Sequence, residues 1–310
     1  MHGFILSSAF DPVANTSTVR LVNLLEKKID HVWKVPHADL PQLIHEKYIF
    51  RESESQEQFR SQHPLLTEDG GVIIGSGEGL ILKLDINSRI EWVNTRHFHH
   101  SLEPGIKPDT YIGNIVVKEP PIVNQKLIDD KYLRNDGYVI FDGNGKILDE
   151  RSITQILIDN GYLSLLFGTV WERDRIHLND AEFIKTDDEY VKRGDIMLSI
   201  RNLSTVMLYR PSTNKIIWLK TGPWLNQHDI DYLGKGIFQV FGNDNIRGIT
   251  GDNRLVKNHS AVYQYHAGTE VIERIDLREA DVSIHSQGRS EYLPDLKLYF
   301  IDDGFRAFFI

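Results

Sequence analysis

A phrase of hairpin character recurs along the chain about every sixty residues, and it constrains the fold more than any other feature of the sequence. Each copy has a Gly/Asp turn, a short apolar strand, a second strand ending near Asp or Asn, a polar turn, and a basic residue leading into apolar residues that often include tryptophan. The copies read TSTVRLVNLLEKKIDHVW at 16–33, EGLILKLDINSRIEW at 78–92, GYVIFDGNGKILDE at 137–150, TVMLYRPSTNKIIW at 205–218 and SAVYQYHAGTEVIERI at 260–275. Trp33, Trp92, Asp149, Trp218 and Arg274 occupy matching places, at spacings of 59, 57, 69 and 56 residues. Such a period marks a repeat architecture. Within each copy β-branched and aromatic residues alternate, and Asn/Asp/Gly turns such as DGNGK at 142–146 and PSTNK at 211–215 join the strands, the pattern of antiparallel hairpins. A linear stack would need capping ends, whereas a ring protects its edges by closure. The expected fold is all-β: a β-propeller of about six four-stranded blades forming one domain over 1–310, its terminal strands sharing a blade, with five or seven blades as alternatives.

Two stretches break the rhythm. Residues 101–135 carry Pro104, Pro108, Pro120 and Pro121 and are expected to form an irregular excursion. At 152–160, SITQILIDN offers a Ser cap, apolar residues on one helical face and Gly161 as a stop, which predicts a short helix. A helical turn is also expected within 38–50, ahead of a solvated polar stretch at 52–62.

Composition narrows the function. With 35 Lys+Arg against 44 Asp+Glu the formal net charge is −9, which disfavours a partner made of nucleic acid. The chain has no cysteine, so thiolate metal sites, disulfides and a cysteine nucleophile are excluded. No apolar run reaches the ~20 residues of a spanning helix. The opening MHGFILSSAF lacks a basic n-region and a long apolar segment, so no export signal is expected there.

The chemistry lies in what precedes the first strand of each unit. Histidines recur at this place: His63, the pair His99 and His100, His177, His228 and His285. In a propeller the innermost strands line one axial channel, so matching lead-ins from different blades converge. Asn179 lies two residues after His177, on the same face of an extended strand, and Arg201 follows on the next strand run. Imidazoles, an amide and a guanidinium make a donor-rich cluster poor in carboxylate, suited to a small tetrahedral oxyanion such as a sulfuryl or phosphoryl group.

At these residues the sequence resembles the arylsulfate sulfotransferases, enzymes that move a sulfuryl group between phenols without the nucleotide donor PAPS. The resemblance rests on FHHS at 98–101, IHLND at 176–180, GDIMLSIRNLSTVMLYRPSTNKIIW at 194–218 and QHDIDYLGKGIFQVFGND at 227–244, and it covers roughly 80–310. It implies a six-bladed propeller with His228 as nucleophile, forming a transient sulfohistidine. His100, His177, Asn179 and Arg201 would hold the sulfuryl oxygens, with His99 beside them, and His100 is preferred to His99 because a small polar residue follows it. The implied partners are a small-molecule aryl sulfate donor and a phenolic acceptor, with no metal or nucleotide cofactor. The family's bacterial enzymes are typically larger and exported, with an additional N-terminal β-domain, so the resemblance suggests a periplasmic or secreted protein while leaving oligomeric state open.

Orientation of the His228 ring is expected from an acidic residue such as Asp229 or from a backbone carbonyl. Trp171, Trp224, Tyr111 and Phe98 are candidates to stack on an aromatic substrate, although packing between blades is the more frequent use of such rings. Two other functions fit the same residues. One is a metal-dependent hydrolase or lyase using His99, His100, His177 and His228, with Glu103 as a carboxylate. The other is a non-enzymatic propeller that binds partners over its faces.

Overall fold

The structure is a computed structural model that describes the chain apart from residues 1–2, 37–39, 41–58, 60, 124–125, 128–132, 169–173, 248–252, 256–258 and 303–306. The helical turn expected within 38–50, most of the polar stretch after it and Trp171 lie outside the described residues. Antiparallel hairpins dominate. Phe4–Asp11, Thr16–Asn23 and Lys28–Lys34 form a three-stranded sheet. A seven-stranded sheet runs from Gln62–Leu66 through Val72–Gly75, Glu78–Leu84, Ile90–Pro104, Thr110–Val116 and Asp136–Asp142 to Ile147–Ser152. Its central strand serves two groups: Ile90 to Asn94 pairs back with Ile81 to Leu84, and Leu102 to Pro104 pairs forward with Tyr111 to Gly113.

Two four-stranded sheets follow: Leu178–Phe183, Ile196–Ile200, Thr205–Arg210 and Lys215–Thr221, then Asp229–Gly234, Ile237–Gly242, Ala261–His266 and Val271–Asp276. Arg289–Leu293, Leu298–Asp302 and Ala307–Phe309 make the last sheet. Counting the seven strands as two groups that share the central one, the described residues form six antiparallel groups of three or four strands, beside two two-stranded ribbons, Ile122–Val123 with Lys126–Leu127 and Asn245–Arg247 with Asn253–Leu255. Trp33, Trp92, Asp149, Trp218 and Arg274 all lie on the outer strands of their groups, as the spacing requires.

The repeated tryptophan covers the following group. Trp92 donates its indole N–H to Gly143 O at 2.8 Å, and Trp218 lies edge-on to Phe238 and Tyr265, 4.7 and 5.1 Å between ring centres. Gly145 has φ +75°, and a Cβ there would stand 2.7 Å from the Trp92 ring, so the DGNGK turn requires glycine at this position. Asp142 completes the turn by accepting the backbone N–H groups of Asn144 and Lys146. In PSTNK, a single 3-10 turn over Pro211–Thr213 ends on Asn214 in the left-handed region, which asparagine tolerates.

Contact clustering divides the chain into two compact units, one comprising Met1–Val117 with Gly137–Glu150 and the other Lys118–Asp136 with Arg151–Ile310. Each has its own buried core: Val72, Ile74, Leu82 and Leu84 are fully buried in the first, and Val206, Leu208, Trp224, Phe238 and Val240 in the second.

The helix forms over Ile153–Asp159, with the Ser152 hydroxyl accepting from Gln155 N and Gly161 at φ +84° beyond its end. The excursion at 101–135 is regular in its first half. There the strand continues to Pro104 and returns as Thr110–Val116, because the prolines fall at a strand end and in the turn, where a lost N–H costs no ladder bond. The terminal strands do not share a blade among the described residues: Phe4–Asp11 pairs with Thr16–Asn23, and Ala307–Phe309 with Leu298–Asp302. The N-terminal run instead turns on itself at Asp11, whose carboxylate accepts the N–H groups of Val13 and Ala14. No helix among the described residues is long and apolar enough to cross a membrane.

Candidate active site

A left-handed residue precedes or begins the first strand of five of the six groups. His63, His100, His177, Asn226 and Gln287 have φ of 43, 54, 47, 51 and 79°, a conformation that non-glycine residues adopt at a cost and that clusters at functional sites. At three of them the strand register slips beside the histidine, between Gln62 and Leu65, His99 and Leu102, and Leu178 and Asp180. Bulges of this kind re-aim side chains. The same-face argument linking His177 to Asn179 therefore does not apply as stated: His177 lies before the strand and Asn179 is the bulged residue. The two nevertheless belong to one cluster.

His228 is its centre. Its Nδ1 lies 2.5 Å from Asn243 Oδ1 and 3.3 Å from Asn226 O, and its Nε2 accepts the backbone N–H of Gln287 at 3.0 Å. Asn243 is fully buried and donates its Nδ2 to Gln287 O and Ile284 O at 2.8 and 3.2 Å, so its oxygen must face the imidazole. These bonds assign the proton to Nδ1 and the lone pair to Nε2. Burial lowers the His228 pKa to about 3; the Arg201 guanidinium and His177 press it the same way, while the bonds from Asn243 and Asn226 oppose them. The ring is neutral at physiological pH. The orienting partners are thus a side-chain amide and a carbonyl. Asp229 instead accepts Ser290 N.

Arg201 follows Ile196–Ile200 in a 3-10 turn, and its N–H bonds His177 O at 3.1 Å, placing it beside the lead-in. The side chain is 6% exposed and donates Nη1 to Asn202 Oδ1 at 3.0 Å; Asn202 donates to Asp174 O, and the Asp174 carboxylate lies 2.5 Å from His177 Nδ1. Asp174 and Asn202 therefore fix His177 and Arg201 together. Asp136, fully buried and bonded by Arg134 Nε at 2.7 Å, accepts Leu178 N at 2.9 Å and braces the chain just past His177. Asn179, 3% exposed, donates Nδ2 to Gln227 O at 3.0 Å, which places it against the residue preceding His228. The second unit thus brings His177, Asn179, Arg201 and His228 into one donor-rich group.

Below this group the first strands carry acid. Burial raises the Asp229 pKa to about 7, against the pull of Arg289 and Ser290 N–H and with Glu291 and Glu182 adding repulsion; burial also raises Asp231 well above the usual carboxylate range, with Asp229, Glu182, Glu291 and Asp180 adding repulsion. A carboxyl whose folded pKa exceeds the unfolded value binds its proton more tightly when folded. Its contribution to stability is therefore fully present below about pH 4 and is lost as pH rises through about 7. Replacing Asp229 with Asn, whose oxygen can still accept Ser290 N–H, should flatten this dependence. Thermal midpoints at pH 5 and 8 test it: the wild type should lose a few degrees more than the variant, and equal losses would refute this titration.

In the first unit, His99 is buried and the neighbouring His100 partly exposed, with their Nδ1 atoms 2.9 Å apart. The other aromatic candidates are packing residues: Trp224 is fully buried against Tyr263, Tyr111 stacks on Phe141, and Phe98 meets Phe141 edge-on. Among the described residues no group of three or more His, Asp or Glu side chains is arranged to hold a metal ion. Asn243, Asp174, Asn202 and the Gln287 N–H escaped sequence reasoning. The hairpin register offered one usable signal, since Asp229 faces Phe241 and carrying that pairing outward brings position 243 toward 227.

A family model described as Arylsulfotransferase (ASST) matches residues 57–306. Among solved structures, a protein of unknown function from Bacteroides caccae superposes with a TM-score of 0.56 at 11% identity, covering 97% of this chain and 81% of that chain; the likeness is one of fold. The C-terminal WD40 domain of Sif2 matches with a TM-score of 0.45 at 10% identity, covering 96% of this chain and 63% of that chain. No curated protein gave a significant match.

Proposed function

This chain belongs to the arylsulfotransferase family, and from that premise we propose that it moves a sulfuryl group from an aryl sulfate to a phenolic acceptor through a sulfohistidine on His228, without PAPS. The observation that carries this reading is a neutral imidazole, lone pair on Nε2, held beside a buried guanidinium. Nε2 attacks sulfur in line, the S–O bond to the aryl group breaks, and its electron pair leaves with the phenolate. Arg201 and Asn179 supply donors for the charge gathering on the sulfuryl oxygens, and His177, its Nδ1 against the Asp174 carboxylate, adds one through Nε2 when its ring carries both protons. His100, together with His99, is proposed from the family resemblance as a further donor, His100 protonating the departing phenolate. A second phenol then takes the group, its oxygen bonding sulfur while the S–N pair returns to Nε2. The scaffold proposed with this chemistry is the six-bladed propeller that the family resemblance implies.

The test is release of 4-nitrophenol from 4-nitrophenyl sulfate, with and without a second phenol and with no PAPS present. Acceptor-dependent release with parallel double-reciprocal lines is expected. Release that ignores the acceptor would indicate transfer to water, and no release with any phenol from folded protein would favour a binding role.

A further inference from the structure

We propose that Asn243 is the positioning residue of the nucleophile: it fixes the proton of His228 on Nδ1 and keeps it there throughout the transfer. This rests on the sulfotransfer reading above. Asn243 is fully buried, and its side chain is committed on both sides, with Oδ1 toward His228 Nδ1 and Nδ2 donating to Ile284 O and Gln287 O. Flipping the amide would turn its oxygen onto two carbonyls and its N–H groups onto the ring N–H, so only one tautomer of His228 is compatible with it.

The choice of an amide over a carboxylate has a chemical meaning. When Nε2 bonds sulfur and the S–O bond breaks, the imidazole becomes an N-sulfo imidazolium carrying its proton on Nδ1. Departure of the ring in the second transfer returns the S–N electron pair to Nε2, which is easy from the cationic ring and hard from a neutral N-sulfoimidazole. A carboxylate opposite Nδ1 would draw off that proton and stabilise the intermediate. An amide oxygen accepts the hydrogen bond but does not take the proton at ordinary pH, so the sulfuryl group stays transferable. Asn243 thereby acts on both half-reactions while touching neither substrate.

The experiment is 15N NMR of the imidazole nitrogens in the full-length protein, read beside kinetics with 4-nitrophenyl sulfate. In the resting wild type, His228 should show a protonated Nδ1 and an unprotonated Nε2 at neutral pH; a proton on Nε2 overturns the proposal whatever the activity. Asn243→Leu should give mixed tautomers and lower kcat by about 10²–10⁴-fold with KM nearly unchanged, a wrong-tautomer effect. Asn243→Asp, which keeps the shape should the leucine variant fail to fold, should hold the Nδ1 proton in the resting enzyme but draw it off once Nε2 carries the sulfuryl group, lengthening the lifetime of the sulfo-enzyme after rapid removal of acceptor. An unchanged lifetime in a folded Asp variant overturns the second half of the proposal. A wild type with the expected resonances but no sulfotransfer would overturn the functional reading instead, so the two failures are separable.

Discussion

Alanine at position 228 should abolish acceptor-dependent release of 4-nitrophenol, a loss on the order of 10⁴-fold or more, as for removal of a covalent nucleophile. The size of the effect follows from the role. His228 combines an unprotonated Nε2 with an opposite edge held by Asn243 and Asn226 beside the Arg201 guanidinium, and without that nitrogen the proposed two-step route is closed. The alanine variant also leaves Asn243 Oδ1 and Gln287 N–H without the ring they contact, which costs stability of about 1–3 kcal/mol. Circular dichroism and a thermal midpoint must therefore accompany the assay. Exogenous imidazole gives a sharper control. It should fill the vacated space, accept the sulfuryl group and restore part of the acceptor-dependent rate. A His228→Ala protein that is folded and still transfers at more than a tenth of the wild-type rate would exclude His228 as the carrier.

Replacement of Arg201 with Ala should lower kcat/KM by roughly 10²–10³-fold, the usual cost of removing one donor aimed at developing charge. Lysine should recover only part of the loss, because a point ammonium does not reproduce a planar fork bonded to Asn202. Arg201 also has a second, measurable influence: its charge is one cause of the low His228 pKa. With the guanidinium gone, the acid limb of the pH–rate profile for kcat/KM should move to higher pH, while the wild type stays flat on that side down to well below pH 6. A profile that falls without shifting would mean that Arg201 binds the donor sulfate without shaping the nucleophile.

Much of the fold was legible because a repeat announces itself locally. The turns at 142–146 and 211–215 and the outer-strand tryptophans depend on neighbours in sequence, and they fell where the spacing placed them. His177, Arg201 and His228 were also readable, since each sits at a lead-in or strand end that the repeat defines. Asn243 and Gln287 were hidden for the opposite reason. They reach His228 across 15 and 59 residues, through a hairpin register and a neighbouring sheet, and nothing local marks an asparagine or a main-chain N–H as functional. Alternation failed at Asn179 because a bulge shifts the period by one, an irregularity that composition does not signal. The terminal strands depart from the expected sharing because the short turn at Asp11 gives the first strand a partner of its own, a local event that the requirement for a closed ring does not foresee.

The hydrogen bond from Gln287 N–H to His228 Nε2 carries a consequence for order of events. The lone pair that would attack sulfur is already occupied in the resting chain, by an amide whose segment is held down by Asn243, Asn245 and Ser260. An incoming electrophile must therefore dislodge that amide before reaction begins, and only a molecule that first settles among the surrounding donors gains enough to do so. If His228 is the nucleophile proposed above, it is guarded by its own backbone, and recognition comes ahead of reactivity.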